Sequence, residues 1–244
     1  MPLPLKNIEL STLGESLPAA RAALASMHRR MTQDPLLAKA YIEFMREYEN
    51  MRHMTRLTSQ EIQQTKDPVY YIPHHGIWQK NDKDKKLRVV FNASRPTTSG
   101  WSLNDIQHTG PKLQTDIAIV VTRWRMQRIA FCADIKMMYR QVRVLPKYTN
   151  LQRILWSPSP NEPAEHYSLQ TVTYGENSSP WLALQTLRQL CQDEGKNLSE
   201  AVSIIEEETY IDDVLSGADD IDTARHRRNQ LVTLLLAGGF ILKK

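Results

Sequence analysis

Residues 210–213 read Tyr-Ile-Asp-Asp, so that two adjacent carboxylates, Asp212 and Asp213, follow an aromatic and an apolar residue. In a tight β-hairpin such a pair lies at the turn, where carboxylate oxygens can hold a divalent cation. A second run, Arg-Ile-Ala-Phe-Cys-Ala-Asp-Ile at 128–135, predicts a buried strand that ends in an acid, Asp134, 78 residues before Asp212. Two strands that bring three carboxylates to one point predict a two-metal phosphoryl-transfer site.

The composition of the chain is that of a globular protein. Its 244 residues, 41% of them hydrophobic, suffice for one large domain or two small ones. The sequence has no apolar run of 18 residues and no basic stretch followed by an apolar one at its start, so we expect no membrane span and no signal peptide. An intracellular location is expected, without a choice between cytoplasm and nucleus. Cys132 and Cys191 lack metal-ligand spacing, and Cys132 is expected to be a small core residue.

The charge of the chain is unevenly distributed. Residues 191–222 hold eleven Asp and Glu against one Lys, whereas the remaining residues hold 30 Lys and Arg against 16 acids, a balance of +14. A basic body around one acidic segment suits a polyanion binder that carries a metal site. The alternative is an ordinary solvated surface with a chance acidic segment, and composition alone favours that alternative.

The first 67 residues are predicted to be helical and polar. Ser16 and Pro18 are predicted to open a helix over Ala19–Met31, and Asp34 with Pro35 forms a good N-cap and first turn for the next helix. Apolar and aromatic residues then recur at helical spacing, which predicts a packing surface; they are Leu37, Tyr41, Phe44, Met45 and Tyr48. Residues 58–67 are predicted to be a polar connector.

Residues 68–244 mix strands and helices without an internal repeat, which favours an α+β fold. Residues 69–78 and 87–91 predict a hairpin with a charged tip, and 94–112 a loop. Residues 167–174 alternate like a strand, and Ser179 with Pro180 is predicted to open a helix. Thr115 and Asp222 are the predicted caps of two further helices.

Eight motifs in order make the chain resemble reverse transcriptases, most closely those of the BEL/Pao class of LTR retrotransposons. The motifs are Tyr-Ile-Pro-His-His-Gly (71–76), Leu-Arg-Val-Val-Phe-Asn-Ala-Ser (87–94), Ser-Leu-Asn-Asp (102–105), Thr-Gly-Pro-Lys-Leu-Gln (109–114), Ala-Asp-Ile-Lys-Met-Met-Tyr-Arg-Gln-Val (133–142), Gln-Arg-Ile-Leu-Trp (152–156), Thr-Val-Thr-Tyr-Gly (171–175) and Tyr-Ile-Asp-Asp (210–213). The resemblance covers about 68–244. It implies the fingers and palm of a right-hand polymerase, truncated before the end of the palm and the thumb, with 1–67 as a helical linker before the polymerase.

The resemblance also implies the catalytic groups. Asp134, Asp212 and Asp213 match the catalytic aspartates, and with the backbone carbonyl of Ile135 they would hold two Mg²⁺ ions, with Mn²⁺ as an alternative. Three carboxylates this close repel one another, so that the pKa of at least one is expected to rise in the absence of metal.

Further positions match the substrate-binding residues of the family. The residues that would bind the nucleotide are Arg88, one lysine of the charged tip (Lys83, Lys85 or Lys86, with Lys86 preferred), Tyr139, Tyr174 and Gly175. Among them, the aromatic ring of Tyr139 would exclude a 2′-hydroxyl, and Gly175 would allow close backbone approach. The residues that would bind template and primer are Tyr210, Asn104 and Pro180.

The activity that the resemblance implies is RNA-directed DNA polymerisation by a fragment of a retrotransposon Pol polyprotein. Its partners would be an RNA or DNA template-primer and deoxynucleoside triphosphates, with no membrane. Whether this chain is active alone stays open. The alternative is a non-catalytic remnant that binds nucleic acid or a partner protein, and the order of the motifs disfavours a third possibility, an unrelated metal-dependent nuclease or phosphatase.

Overall fold

Helices and small antiparallel sheets alternate along the chain, which confirms the α+β class. The structure is a computed structural model, and it describes residues 1–79 and 86–243. The described helices and strands, in chain order, are α1 (Leu17–Gln33), α2 (Pro35–Asn50), β1 (Met54–Arg56), α3 (Ser59–Gln64), β2 (His74–Gln79), β3 (Lys86–Phe91), α4 (Ile117–Arg125), β4 (Ile129–Ile135), α5 (Met138–Gln141), β5 (Arg153–Trp156), β6 (Glu165–Leu169), α6 (Ser179–Glu194), α7 (Ser199–Glu207), β7 (Thr209–Tyr210), β8 (Asp213–Ala218), α8 (Ile221–Ala237) and β9 (Leu242–Lys243).

The chain divides into two units. The first comprises Met1–Thr109 with Arg143–Ser179, and the second comprises Gly110–Val142 with Pro180–Lys244. The predicted helical segment 1–67 therefore packs in the same compact unit as the hairpin that follows it. Between Arg56 and Asp67, where the sequence predicts only a connector, α3 begins with a capping box formed by Thr58 and Glu61.

The first unit is built from the two long helices α1 and α2, the short helix α3, a hairpin and a three-stranded sheet. As predicted, Asp34 caps α2, since its Oδ1 accepts hydrogen bonds from the backbone N–H groups of Leu36 and Leu37 at 3.1 and 3.0 Å. Apart from the half-buried Phe44, the predicted apolar stripe of α2 is buried. Both long helices pack on strands of this unit, and the Tyr41 hydroxyl hydrogen-bonds Nδ1 of His74.

The hairpin and the sheet of the first unit are both antiparallel. Strand β2 pairs with β3 from His74 opposite Phe91 to Gln79 opposite Lys86, which confirms the predicted hairpin. The three-stranded sheet has the order β1-β6-β5, so β1 from the helical segment forms one edge. Strand β6 covers only the start of the predicted strand 167–174.

A four-stranded antiparallel sheet with the order β7-β8-β4-β9 forms the centre of the second unit. Helices α4, α7 and α8 pack on its strands. Strand β4 pairs with the whole of β8, from Ile129 opposite Ala218 to Asp134 opposite Asp213, and Asp134 and Ile135 of β4 also pair with β9. This sheet positions all three predicted catalytic carboxylates.

Ser16 directly precedes α1 as predicted, with Pro18 in the first turn, whereas the predicted caps Thr115 and Asp222 are wrong. Ser16 makes no capping bond, because its Oγ accepts a hydrogen bond from the Tyr71 backbone N–H at 2.7 Å. Asp116 rather than Thr115 caps α4, since its carboxylate accepts from the Ala118 N–H at 2.9 Å. In α8 the cap is Asp220, two residues before the predicted Asp222.

Strand β4 is only partly buried, contrary to the prediction. Its burial alternates, so Ala130 and Cys132 face solvent while Ile135 is fully buried. Cys132 is therefore an exposed thiol and not a core residue. Among the described residues, no helix is both long and apolar enough to cross a membrane.

Candidate active site

The pairing of β4 with β8 brings two of the predicted catalytic carboxylates together. Asp134 stands directly opposite Asp213, and directly opposed residues of antiparallel strands carry their side chains on the same face, about 5 Å apart at Cβ. The backbone N–H of Ile135 donates to the carbonyl of Asp212 at 2.8 Å, which ties the turn to the end of β4. Residues 78 positions apart in the sequence are thus neighbours, as the strand and turn patterns predict.

The turn itself is strained. Strands β7 and β8 pair from Tyr210 opposite Asp213, so only Ile211 and Asp212 form the loop. Ile211 has φ of +59°, a left-handed conformation that costs a residue with a β-carbon about 1–2 kcal/mol. Such strain persists where the surrounding structure enforces it, and it is concentrated at functional sites.

The pKa of the Asp212 carboxyl group is raised by its position in the turn. Burial raises the pKa of Asp212, and the charges of Asp213 and Asp134 raise it further against the opposing effect of its own backbone N–H. The expected rise in the pKa of one carboxylate is therefore confirmed in direction, although burial contributes more than mutual repulsion does. Asp213, by contrast, is exposed.

Tyr139 lies in the same electrostatic environment as Asp212. Burial raises the pKa of the Tyr139 phenol first, and the charge of Asp212 raises it further. Tyr139 is half-buried in the short helix α5, which follows Met137 in a left-handed conformation with φ of +50°. The second unit therefore holds an aromatic side chain within electrostatic reach of the acidic turn.

The acidic turn fits a divalent cation in the chemistry of its donors. Carboxylate and backbone oxygens are the ligands that Mg²⁺ prefers. The pKa of Asp212 is raised first by burial and then by the charges of Asp213 and Asp134, and a cation would compensate that second contribution. Across residues 1–79 and 86–243, however, no three His, Cys, Asp or Glu side chains form a group arranged to hold a metal. The backbone places Asp134, Asp212 and Asp213 side by side, and their side chains would have to converge for a shared ion.

In the first unit, the backbone conformation and the close packing at position 175 favour glycine over any residue with a β-carbon. Its φ is +104°, and a Cβ there would lie 2.1 Å from the carbonyl oxygen of Phe91. The ring of Phe91 also meets Tyr174 edge-on, with 5.4 Å between centroids. The backbone at Gly175 therefore lies close against β3, and its predicted approach to a nucleotide stays a prediction.

Asn104 holds the loop that follows Gly175. Its amide nitrogen donates to the Gly175 carbonyl at 3.0 Å, and its amide oxygen accepts from the Asn177 N–H at 2.9 Å. Asn104 is buried, so within this unit it organises the loop. Gln107 also braces the loop, because its Nε2 donates to the buried carboxylate of Glu176 at 2.8 Å. Nothing in the sequence spacing of Gln107 marks this residue in advance.

Lys86 and Arg88 share one face of the hairpin. Side chains two residues apart in a strand point to the same face. On β3 the side chains of Lys86 and Arg88 are both exposed, whereas the next residue, Val89, is buried. This arrangement presents two cations side by side. Lys83 and Lys85, the other candidates for a triphosphate contact, lie outside the described residues.

The predicted site residues fall into two sets, one in each unit. The first unit contains Lys86, Arg88, Asn104, Tyr174 and Gly175. The second unit contains Asp134, Ile135, Tyr139, Pro180, Tyr210, Asp212 and Asp213. Within the second set, Pro180 is the second residue of α6, and Tyr210 is half-buried in β7 beside Asp213. A scan against models of known protein families finds no match to this chain, and a search of curated proteins finds none either.

Proposed function

We propose that the chain is the fingers and palm part of an RNA-directed DNA polymerase of the BEL/Pao retrotransposon class. The observation that carries the proposal is the direct opposition of Asp134 and Asp213 in β4 and β8, with Asp212 in the turn between β7 and β8. Three carboxylates from two separate segments of sequence meet at one sheet end, and the motifs around them match the family in order.

The residues would divide the work of nucleotidyl transfer. Asp134 and Asp212, with the carbonyl of Ile135, would hold the divalent cations, which activate the primer hydroxyl and neutralise the charge of the triphosphate. Tyr139, half-buried near Asp212, would contact the sugar of the incoming nucleotide. The proposal assigns the template and primer to Tyr210, Asn104 and Pro180.

The groups of the first unit would contact the nucleotide through phosphate and backbone. Arg88 suits a triphosphate because its planar guanidinium can donate two parallel hydrogen bonds to phosphate oxygens, and Lys86 adds a point charge on the same face of β3. Tyr174 and Gly175 lie on a loop that Asn104 fixes, which supports a role in positioning rather than in chemistry.

Primer extension tests the proposal. The full chain is incubated with poly(rA)–oligo(dT), Mg²⁺ and labelled dTTP, beside the variants Asp212→Asn and Asp219→Asn. Asp219 is an exposed aspartate at the far end of β8 from the turn, so its variant controls for the loss of one acidic charge. We expect incorporation by the wild type and by Asp219→Asn, and a loss of at least about 100-fold in Asp212→Asn.

An absence of incorporation by the folded wild-type protein would contradict the proposal of a working polymerase. The remaining candidate is then a non-catalytic nucleic-acid-binding remnant, which two observations favour: the exposed basic pair Lys86 and Arg88, and the lack of a converged three-ligand group in the described parts of the chain. Such a remnant would bind RNA or DNA with affinity that falls steeply as salt rises, and Asp134→Asn would leave that binding unchanged.

A further inference from the structure

A polar cavity of about 570 Å³ opens in the first unit, away from every residue assigned above to catalysis or substrate binding. Helix α3, the turn before β5 and strand β6 form its walls, and Arg153 lies at its base. Amide side chains line much of the rest, among them Gln60, Gln64 and Gln170. The volume is within the range of cavities that hold small-molecule ligands.

Arg153 is a buried cation without a carboxylate partner. Only 2% of its surface is exposed, and it forms no ion pair with any Asp or Glu in residues 1–79 and 86–243. Its guanidinium donates to neutral oxygens alone: twice to Oδ1 of Asn150, at 3.1 and 2.7 Å, once to the Tyr71 hydroxyl at 3.5 Å and once to the Glu61 carbonyl at 3.4 Å. Buried charges in proteins are usually paired, because removing an ion from water is costly.

The one acidic residue that lines the cavity is already engaged. The carboxylate of Glu61 accepts hydrogen bonds from the backbone N–H and the hydroxyl of Thr58, at 2.7 and 2.8 Å, in the capping box of α3. These bonds with Thr58 are the main reason that the pKa of Glu61 is lowered, and the charge of Arg153 contributes least. Glu61 therefore offers Arg153 a weak electrostatic attraction and no ion pair.

Arg153 also retains capacity to bind. A guanidinium has five N–H groups, and Arg153 uses four, two of them at 3.4–3.5 Å, the long limit of a hydrogen bond. Its planar fork matches the geometry of a phosphate group. Side-chain amides, which can both donate and accept, suit the edges of a base or the hydroxyls of a sugar.

We propose that this cavity binds a phosphate-bearing ligand of nucleotide size, with its phosphate on Arg153 and its remaining polar groups on the glutamine amides. A phosphate alone would leave most of 570 Å³ unfilled, so the ligand carries more than its anion. The same chemistry is offered by a free mononucleotide and by one residue of a single strand. The proposal does not rest on polymerase activity, since none of these residues belongs to the catalytic or substrate-binding sets.

Calorimetric titration of the full chain in EDTA tests the site, because the chelator removes metal-dependent binding at the acidic turn. The probes are inorganic phosphate, deoxyadenosine monophosphate and hexathymidylate. The decisive variant is Gln64→Glu, which is isosteric, keeps the oxygen that accepts from Gln60 at 3.1 Å and adds a negative charge to the cavity wall. The matched control is Gln63→Glu, an exposed neighbour on α3 that does not line the cavity.

We expect the wild type to bind at least one probe, with affinity about tenfold weaker in Gln64→Glu and within about twofold of the wild type in Gln63→Glu, whose charge lies outside the cavity and is screened by solvent. Arg153→Lys, which keeps the charge and loses the fork, should weaken binding similarly if the variant folds. Binding of phosphate and the mononucleotide would identify a small metabolite, and binding of hexathymidylate alone would identify a strand. No binding of any probe to folded wild type, or equal loss in both glutamine variants, would overturn the proposal.

Discussion

Replacement of Gly175 by alanine should destabilise the first unit more than any other glycine-to-alanine change at a positive φ in that unit. Two costs combine there. A residue with a β-carbon in a left-handed conformation costs about 1–2 kcal/mol. The new Cβ would also lie 2.1 Å from the carbonyl oxygen of Phe91, closer than van der Waals contact allows, and overpacking of this kind costs about 1–3 kcal/mol. The expected loss is therefore about 2–5 kcal/mol.

Gly100 supplies the matched control. It lies in the same unit with φ of +87°, and a Cβ added there would have nothing within 4 Å, so Gly100→Ala carries the backbone cost alone. Urea unfolding followed by far-UV circular dichroism gives both free energies of unfolding. If the two variants lose equal stability, the close approach between Gly175 and β3 contributes nothing, and the account of the loop is refuted.

Three further outcomes follow from the site. Asp212→Asn should raise the free energy of unfolding at pH 7, because the raised pKa of Asp212 means that the folded state disfavours its charge. In urea titrations the gain should vanish well below pH 3.8, where both states are protonated, and a gain that persisted there would contradict this reasoning. Ile211→Gly should stabilise the chain by about 0.5–1 kcal/mol in the same assay by releasing the left-handed strain, and an unchanged midpoint would argue against that strain. Asn104→Ala should cost about 1–3 kcal/mol and increase hydrogen exchange at the Asn177 amide, whereas unchanged exchange would show that Asn104 does not hold the loop.

Short-range signals in the sequence account for much of the fold. Asp34 followed by Pro35 predicts the start of α2 correctly, because the cap bond and the proline both act within one turn. The predicted turn at Tyr-Ile-Asp-Asp is likewise correct. Strands β7 and β8 pair on either side of it, and only Ile211 and Asp212 form the loop.

Several features that the sequence does not predict depend on contacts distant in sequence. Ser16 precedes α1 as predicted, but it makes no side-chain cap, because its hydroxyl accepts a hydrogen bond from the Tyr71 backbone 55 residues away. Cys132 lies in an apolar run that predicts burial, yet one face of β4 is open to solvent. Nothing in the Gln-Arg-Ile-Leu-Trp motif predicts that Arg153 is buried beside a polar cavity. The cavity is formed by three segments that meet only in the folded chain.

The turn at 210–213 contains two features that lower the stability of the folded chain. Ile211 adopts a left-handed conformation that glycine or asparagine would adopt at lower cost, and two-residue hairpins strongly prefer those residues. Asp212 is held beside two other acids at a raised pKa, where a neutral residue would incur no such penalty. Each feature costs free energy, and both occur in adjacent residues at the end of the sheet that also carries Asp134. Strain and unfavourable charge at one point are typical of a site that a ligand completes, and a cation held by these carboxylates would offset the electrostatic part of that cost. The metal site proposed for the acidic turn would thus account for the electrostatic cost of these carboxylates.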